Sequence, residues 1–193
     1  MKEPNITLVD SLQNHFLIAM PSLTDKYFNR SVTYILEHGE QGAMGIVINQ
    51  PSNMTFRELL GQVDEKAPVS DSISEKIILC GGPVQADRGF VIHESSGAWN
   101  SSTRITEDIM VTTSKDILLA IGKEDGPQNN ILTLGYAGWE AGQLEQEIQE
   151  NSWLTIPASK DILFDTPIHK RWETAVNKLG IDIWQLTQQA GSA

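Results

Sequence analysis

Cysteine is nearly absent from the sequence: Cys80 is its single instance in 193 residues. That excludes an internal disulfide and any zinc site made from cysteines alone. Positive charge is scarce as well. Fourteen Lys and Arg against 25 Asp and Glu leave a formal net charge of -11. A field of that sign repels polyphosphate, which disfavours general nucleic-acid or anionic-membrane binding. No apolar run approaches the roughly 20 residues of a membrane span. The polar start MKEPNITLVDSLQN also lacks the apolar stretch of about 7–15 residues that marks a signal peptide. What remains is a chain with 40% apolar and 20% charged residues, the balance of a soluble globular protein. It is expected to be cytoplasmic and to form a single domain over residues 1–193, with a flexible segment over 1–13.

The N-terminal half reads as β. His15–Met20 is a short apolar run stopped by Pro21, and Arg30–His38 and Ala43–Asn49 form a hairpin pair joined through Gly39 and Gly42. Thr55 and Glu58 have capping-box spacing for a short helix from Phe56 to about Gln62. The polar stretch Gln62–Glu75 is expected to be a mobile surface loop. Strands are predicted at Lys76–Cys80, Arg88–Glu94, within Arg104–Thr112 and at Asn130–Trp139, with helices over Lys115–Gly122 and Glu140–Glu150. At the C-terminal end Thr166 as N-cap, Pro167 as first residue and Gly180 as terminator frame a helix that turns Trp172, Ala175 and Val176 inward. A last turn around Ile183–Gln188 is expected to dock through Trp184 and Leu186. Strands mixed with irregularly placed helices favour the α+β class.

Chemistry-bearing patterns are sparse. Gly39, Gly42 and Gly45 precede a strand and not a helix, so they lack the convergent N–H groups a phosphate needs. Gly81-Gly82-Pro83 permits close backbone approach, by a ligand or by a neighbouring strand. Histidines 15, 38, 93 and 169 show no metal-ligand spacing, and neither a metal nor a cofactor is expected. No G-x-S-x-G elbow is present, and Cys80, at the end of an apolar strand, reads as a buried, inert thiol. In the acidic helix Glu140, Gln143 and Glu147 share one polar face, framed by Trp139 and Trp153.

Taken in order, Phe16–Pro21, Arg30–His38, Gly42–Asn49, Gly81–Val84, Arg88–His93, Leu134–Ile148, Asn151–Leu154 and the final helix with Trp172 resemble the YqgE/AlgH family of bacterial proteins. The resemblance spans about Asn14 to Ala193. It implies a single α+β domain with a bifurcated mixed sheet curled into a pseudo-barrel and surrounded by helices. It brings no established activity with it, although part of the family is labelled a transcriptional regulator. Some relatives carry a cysteine where this chain has Leu36, and the usual G-H-A ending is here Gly191-Ser192-Ala193. With a charge of -11 and no basic helix face suited to a major groove, regulation is expected to pass through a protein or small-molecule partner. The leading expectation is a non-enzymatic binding module using His38, Asn49, Gly81, Gly82, Pro83, Arg88, Tyr136, Trp139, Gln143 and Glu147. The alternatives are a hydrolase-like enzyme that sets His38 or His93 against a carboxylate such as Glu147, and direct nucleic-acid binding.

Overall fold

Alternating patterns set the sheet. In β1 (His15–Ala19) Phe16 and Ile18 enter one core, while Leu17 and Ala19 enter another on the opposite face, as a two-residue repeat dictates. The computed structural model, which describes residues 11–182 and residue 185, places β1 between β10 (Trp153–Pro157) and β2 (Val32–Gly39), antiparallel to both. β2 turns back into β3 (Gly42–Val47), forming the expected hairpin with Gly39 opposite Gly42.

The long strand β9 (Asn130–Glu140) is the hub. Ala137–Glu140 pair antiparallel with the start of β3, while Thr133 and Leu134 run parallel to β5 (Ile77–Cys80). The opposite edge of β9 carries β6 (Val84–Glu94), followed by β8 (Ile109–Thr112) and β7 (Ser102–Arg104). On the far side of β5 lies β4 (Pro51–Thr55). The ten strands make one mixed sheet that forks where β3 and β5 leave the same edge of β9, and it curls into a half-barrel.

Three backbones meet at the fork. Gly81 N–H donates to the Leu134 carbonyl at 2.7 Å, and the Gly81 carbonyl accepts from Val47 N–H at 2.8 Å. A Cβ at Gly81 would lie 2.3 Å from the Gly135 carbonyl oxygen, and one at Gly82, whose φ is +151°, would lie 2.2 Å from the Tyr136 carbonyl carbon. No side chain fits at such distances. The paired glycines after β5 are thus needed for strand-to-strand approach.

Helices cover what the sheet leaves apolar. The inner face gathers Phe16, Tyr34, Ile46 and Ile92 with Trp172, Ala175 and Val176 of α5 (Arg171–Lys178). The outer face is covered by α1 (Phe56–Val63) and α3 (Lys115–Gly122), which bury Phe56, Leu60, Ile117 and Ile121 against Ile78, Val91 and Leu132. Each such side chain contributes about 1.5–3 kcal/mol on burial. The Thr55–Glu58 capping box is formed in full. The Gln62–Glu75 stretch is more ordered than its polarity suggests. It contains α2 (Asp71–Ser74), and Ala67, Val69 and Ile73 pack on the α1–α3 core.

Two helix starts differ from the sequence reading. β9 extends through Glu140, Gly142 turns the chain at φ +77°, and α4 (Gln143–Gln149) begins only then. At the other site, Thr166 does not cap a helix. Residues Asp161–Asp165 form a π-type turn whose Asp161 carbonyl accepts from Thr166 Oγ1 at 2.8 Å. Ile168–Lys170 form a 3₁₀ turn, and α5 starts at Arg171. The buried Arg171 guanidinium explains the delay: it donates to the carbonyls of Leu163 and Thr166 at 2.9 and 3.2 Å, and also to that of Ile48. Carbonyls left open by the irregular turns are thereby satisfied. Of the segment expected to be flexible over 1–13, residues 11–13 are tied to β2, and residues 1–10 lie outside the described residues. So do Trp184, Leu186 and the Gly191–Ala193 ending.

Candidate functional site

The ten residues singled out from sequence fall into separate places. His38, Trp139, Gln143 and Glu147 gather where α4 packs against the β2–β3 hairpin and β9. Gly81, Gly82 and Pro83 lie at the fork beside the Tyr136 backbone. Asn49 sits on the segment whose Val47 and Gln50 backbones bond to Gly81 and Cys80, with its side chain turned to Val32 and Arg30, and Arg88 lies over the Phe90 ring.

Around α4 the polar groups are committed to internal partners. Glu147 Oε2 accepts from both indoles, Trp139 Nε1 at 2.9 Å and Trp153 Nε1 at 2.8 Å, and Oε1 accepts from Gln143 Nε2 at 3.0 Å. Gln143 in turn accepts the Glu140 N–H at 3.0 Å. The two indoles are edge-to-face at 6.1 Å, with Phe28 closing the cluster. His38 does pair with a carboxylate, but the partner is Glu145, at 2.7 Å, and not Glu147. His38 Nδ1 accepts the Leu12 N–H at 2.9 Å, so Nε2 carries the proton and donates to Glu145. Desolvation pushes the Glu145 carboxyl up, but its own backbone N–H and His38 outweigh this and hold it below the usual carboxylate range. With 3% of its side chain exposed and both nitrogens engaged, His38 has no lone pair for a general base to use.

The other candidate base is equally enclosed. His93 is wholly buried, its Nδ1 2.7 Å from the Glu94 carbonyl and its Nε2 2.7 Å from Thr112 Oγ1. Burial holds its imidazole below the usual histidine range, partly offset by the Glu94 carbonyl. The proposed pairings of His38 or His93 with Glu147 are therefore not formed. Asn49 is also a brace: its side-chain oxygen accepts from Val32 N–H and its amide donates to the Arg30 carbonyl, both at 2.9 Å. Tyr136 is half-buried with its ring edge-to-face on Phe90 at 5.9 Å. Among the described residues, no three His, Cys, Asp or Glu side chains gather closely enough to hold a metal ion, and no helix is long and apolar enough to cross a membrane.

Space for a ligand lies at the fork. A cleft of about 520 Å³ opens there, and Gly82 and Pro83 are the two predicted site residues that line it. Its apolar wall comes from Tyr27, Met54, Ala86 and Leu134, and its polar groups include Ser52, Asn53, Gln62 and Glu58. Cys80, expected to be buried, is half-buried and faces this cleft. Glu58 is the one formal charge among the described lining residues, and one of its oxygens is already held by the Thr55 capping contacts. A second cavity, of about 240 Å³, includes Arg88 in its wall. Sequence spacing missed Tyr27, Ser52, Met54 and Gln62 because they reach the cleft from three different elements. For Glu145 a signal was present, since it lies on the acidic helix itself, one step off the chosen face.

Comparison with known proteins matches this architecture. The AlgH-like family profile (DUF179) fits residues 16–184. A UPF0301 protein of Pseudoalteromonas translucida is 52% identical over 185 residues, which span 96% of this chain and all of that one. One from Shewanella woodyi is 51% identical over 187 residues, with the same coverage. The solution structure of the AlgH protein from Pseudomonas aeruginosa superposes with a TM-score of 0.78 at 47% identity, and the match covers 100% of both chains. A Corynebacterium diphtheriae protein shares the fold alone, at TM-score 0.68 and 21% identity over 90% of each chain. The chain belongs to the AlgH-like family.

Proposed function

We propose that the protein is a non-enzymatic binding module, regulatory in effect, whose partner seats in the cleft at the fork of the sheet. One observation carries this reading. The largest of the cavities described is walled by apolar and neutral polar groups with Glu58 as its one charge, whereas the histidines and the other carboxylates resembling acid–base machinery are spent on internal contacts elsewhere. A cleft of this volume, with a few polar groups on an apolar wall, has the size and character of a small-molecule or side-chain site. Glu58 favours a ligand or partner segment with a neutral or cationic polar end. The negative net charge argues against a polyanion.

Ala86 is exposed on the cleft wall, so Ala86→Trp fills the space without disturbing a core. Wild-type and variant protein, each confirmed as folded, are used to capture proteins and small molecules from a bacterial lysate, and mass spectrometry reads both. A species retained by the wild type and lost by Ala86→Trp supports the reading. Equal retention by both moves the binding face away from the cleft, and turnover of a captured molecule overturns the non-enzymatic assignment.

A further inference from the structure

The second cavity, about 240 Å³ in volume, lies between the β2–β3 hairpin and the β6–β8–β7 edge. It shares no lining residue with the fork cleft, so a ligand here is independent of any partner seated there. Behind its wall runs a chain of hydrogen bonds whose direction is fixed. The Glu94 carbonyl can only accept, so His93 Nδ1 carries the proton at that 2.7 Å contact. His93 Nε2 is then an acceptor, and Thr112 Oγ1 donates to it at 2.7 Å. Thr112 has spent its proton, so Ser102 Oγ donates to Thr112 Oγ1, again at 2.7 Å. His93, Thr112 and Ser102 share with Val91 the sheet face opposite the Phe90–Val111 floor, so the Ser102 hydroxyl is turned away from the cavity and the chain closes off its back. Burial of His93 in its neutral form keeps the chain oriented this way.

Two opposite charges stand in the same wall. Arg88 lies over the Phe90 ring at 5.2 Å, and its one hydrogen bond is a long 3.4 Å contact to Gln85. Among the described residues neither Arg88 nor Glu37 enters an ion pair. The floor between them is apolar, made by Met44, Phe90 and Val111. An unpaired guanidinium is a ready fork for a carboxylate, while an unpaired carboxylate, which only accepts, suits an ammonium. The volume falls below that of drug-sized sites. We propose that this cavity binds a small zwitterion of the α-amino-acid class, its carboxylate on Arg88, its ammonium on Glu37, and its side chain on the Phe90 floor.

The test uses the full chain, ¹⁵N-labelled, titrated with L-valine and with valine's two halves, isobutylamine and isovalerate. L-Valine is expected to shift the backbone amides of Ser102, Thr103 and Thr113 and to saturate in the millimolar range or below. Each half is expected to bind at least about tenfold more weakly, since it loses one charged contact. Arg88→Gln should weaken L-valine but not isobutylamine, and Glu37→Gln should weaken L-valine but not isovalerate. Ser102→Ala, which removes a hydroxyl on the other face of the sheet, should leave all three probes unchanged. The assignment is overturned if L-valine shifts none of these amides, if it binds no better than its halves, or if Arg88→Gln weakens isobutylamine as much as L-valine.

Discussion

Removing the Glu147 carboxylate tests whether the α4 corner is held as described. Glu147 Oε2 is the acceptor for two indole N–H groups, and Trp139 and Trp153 are 6% and 3% exposed. Glu147→Ala therefore leaves two nearly buried donors without a partner. Each such donor costs about 1–3 kcal/mol. Glu147 is half-buried, so water entering the vacated space recovers part of that, leaving about 2–4 kcal/mol in all. The exposed Gln143 amide turns to solvent and adds little. For a chain of this length, that loss lowers Tm by roughly 4–16 °C. Glu147→Gln keeps one oxygen in the Oε2 position for both indoles and loses mainly the charge assistance, about 1 kcal/mol. Equilibrium urea unfolding followed by far-UV circular dichroism, with the slope unchanged between variants, gives the two numbers. A loss below about 1 kcal/mol for Glu147→Ala would refute the reasoning. So would equal losses for the two variants, because the indole contacts would then not be what holds the corner.

Three other perturbations probe the fork, a half-buried lysine and the N-terminal anchor. Gly82→Ala places a Cβ 2.2 Å from the Tyr136 carbonyl carbon and is expected to cost about 3 kcal/mol or more. Gly61→Ala, in open space on α1, should instead stabilise by about 0.5–1 kcal/mol, and thermal unfolding of the pair separates fork crowding from a general intolerance of glycine replacement. Burial, reinforced by Arg171, lowers the Lys76 ammonium to about 8. The folded state therefore sheds this proton more readily than the unfolded chain, and the associated stability is present at high pH and lost as pH falls through about 8. Lys76→Met should flatten the rise in stability between about pH 8 and 10 measured by urea titration, and an unchanged slope would remove Lys76 as its source. Finally, His38→Ala frees the Leu12 N–H, so hydrogen exchange at Leu12 should quicken about fivefold, the equivalent of one hydrogen bond. Unchanged exchange would mean that the segment is anchored by other contacts.

Regular elements were legible where one local rule decided them. The Gly39–Gly42 hairpin, the Thr55–Glu58 cap and the inward stripe of Trp172, Ala175 and Val176 all follow from turn chemistry, capping or period. The late start of α5 was not legible, because it depends on Arg171 reaching the Ile48 carbonyl, 123 residues away in sequence. Polarity alone misjudged Gln62–Glu75, since Ala67, Val69 and Ile73 find apolar neighbours only in the folded chain. The acidic helix carried a real signal, an inward-turned carboxylate. Spacing could not show that Glu147 faces two indoles while Glu145 faces His38.

Both hollows have their origin in irregularity of the sheet, which explains why no motif announces them. β9 exchanges its β5 partner for β3 around Gly135, and beside that fork the cleft opens between β4 and α1 on one side and the β5–β6 turn on the other. On its other edge β9 pairs with Val84 and then with Gly89, the register shifting between them. The intervening residues of β6 are exposed. Ala86 thereby reaches the cleft and Arg88, two residues on, reaches the second cavity. A regular β6 would have paired these residues along the strand and flattened the surface between the two hollows. The sequence feature behind the fork is the set of glycines at 81, 82 and 135, where a Cβ would meet neighbouring backbone at 2.3, 2.2 and 2.5 Å. In this chain the conspicuous glycines shape the walls, and the polar groups within those walls are ordinary side chains such as Tyr27, Glu58, Arg88 and Glu37.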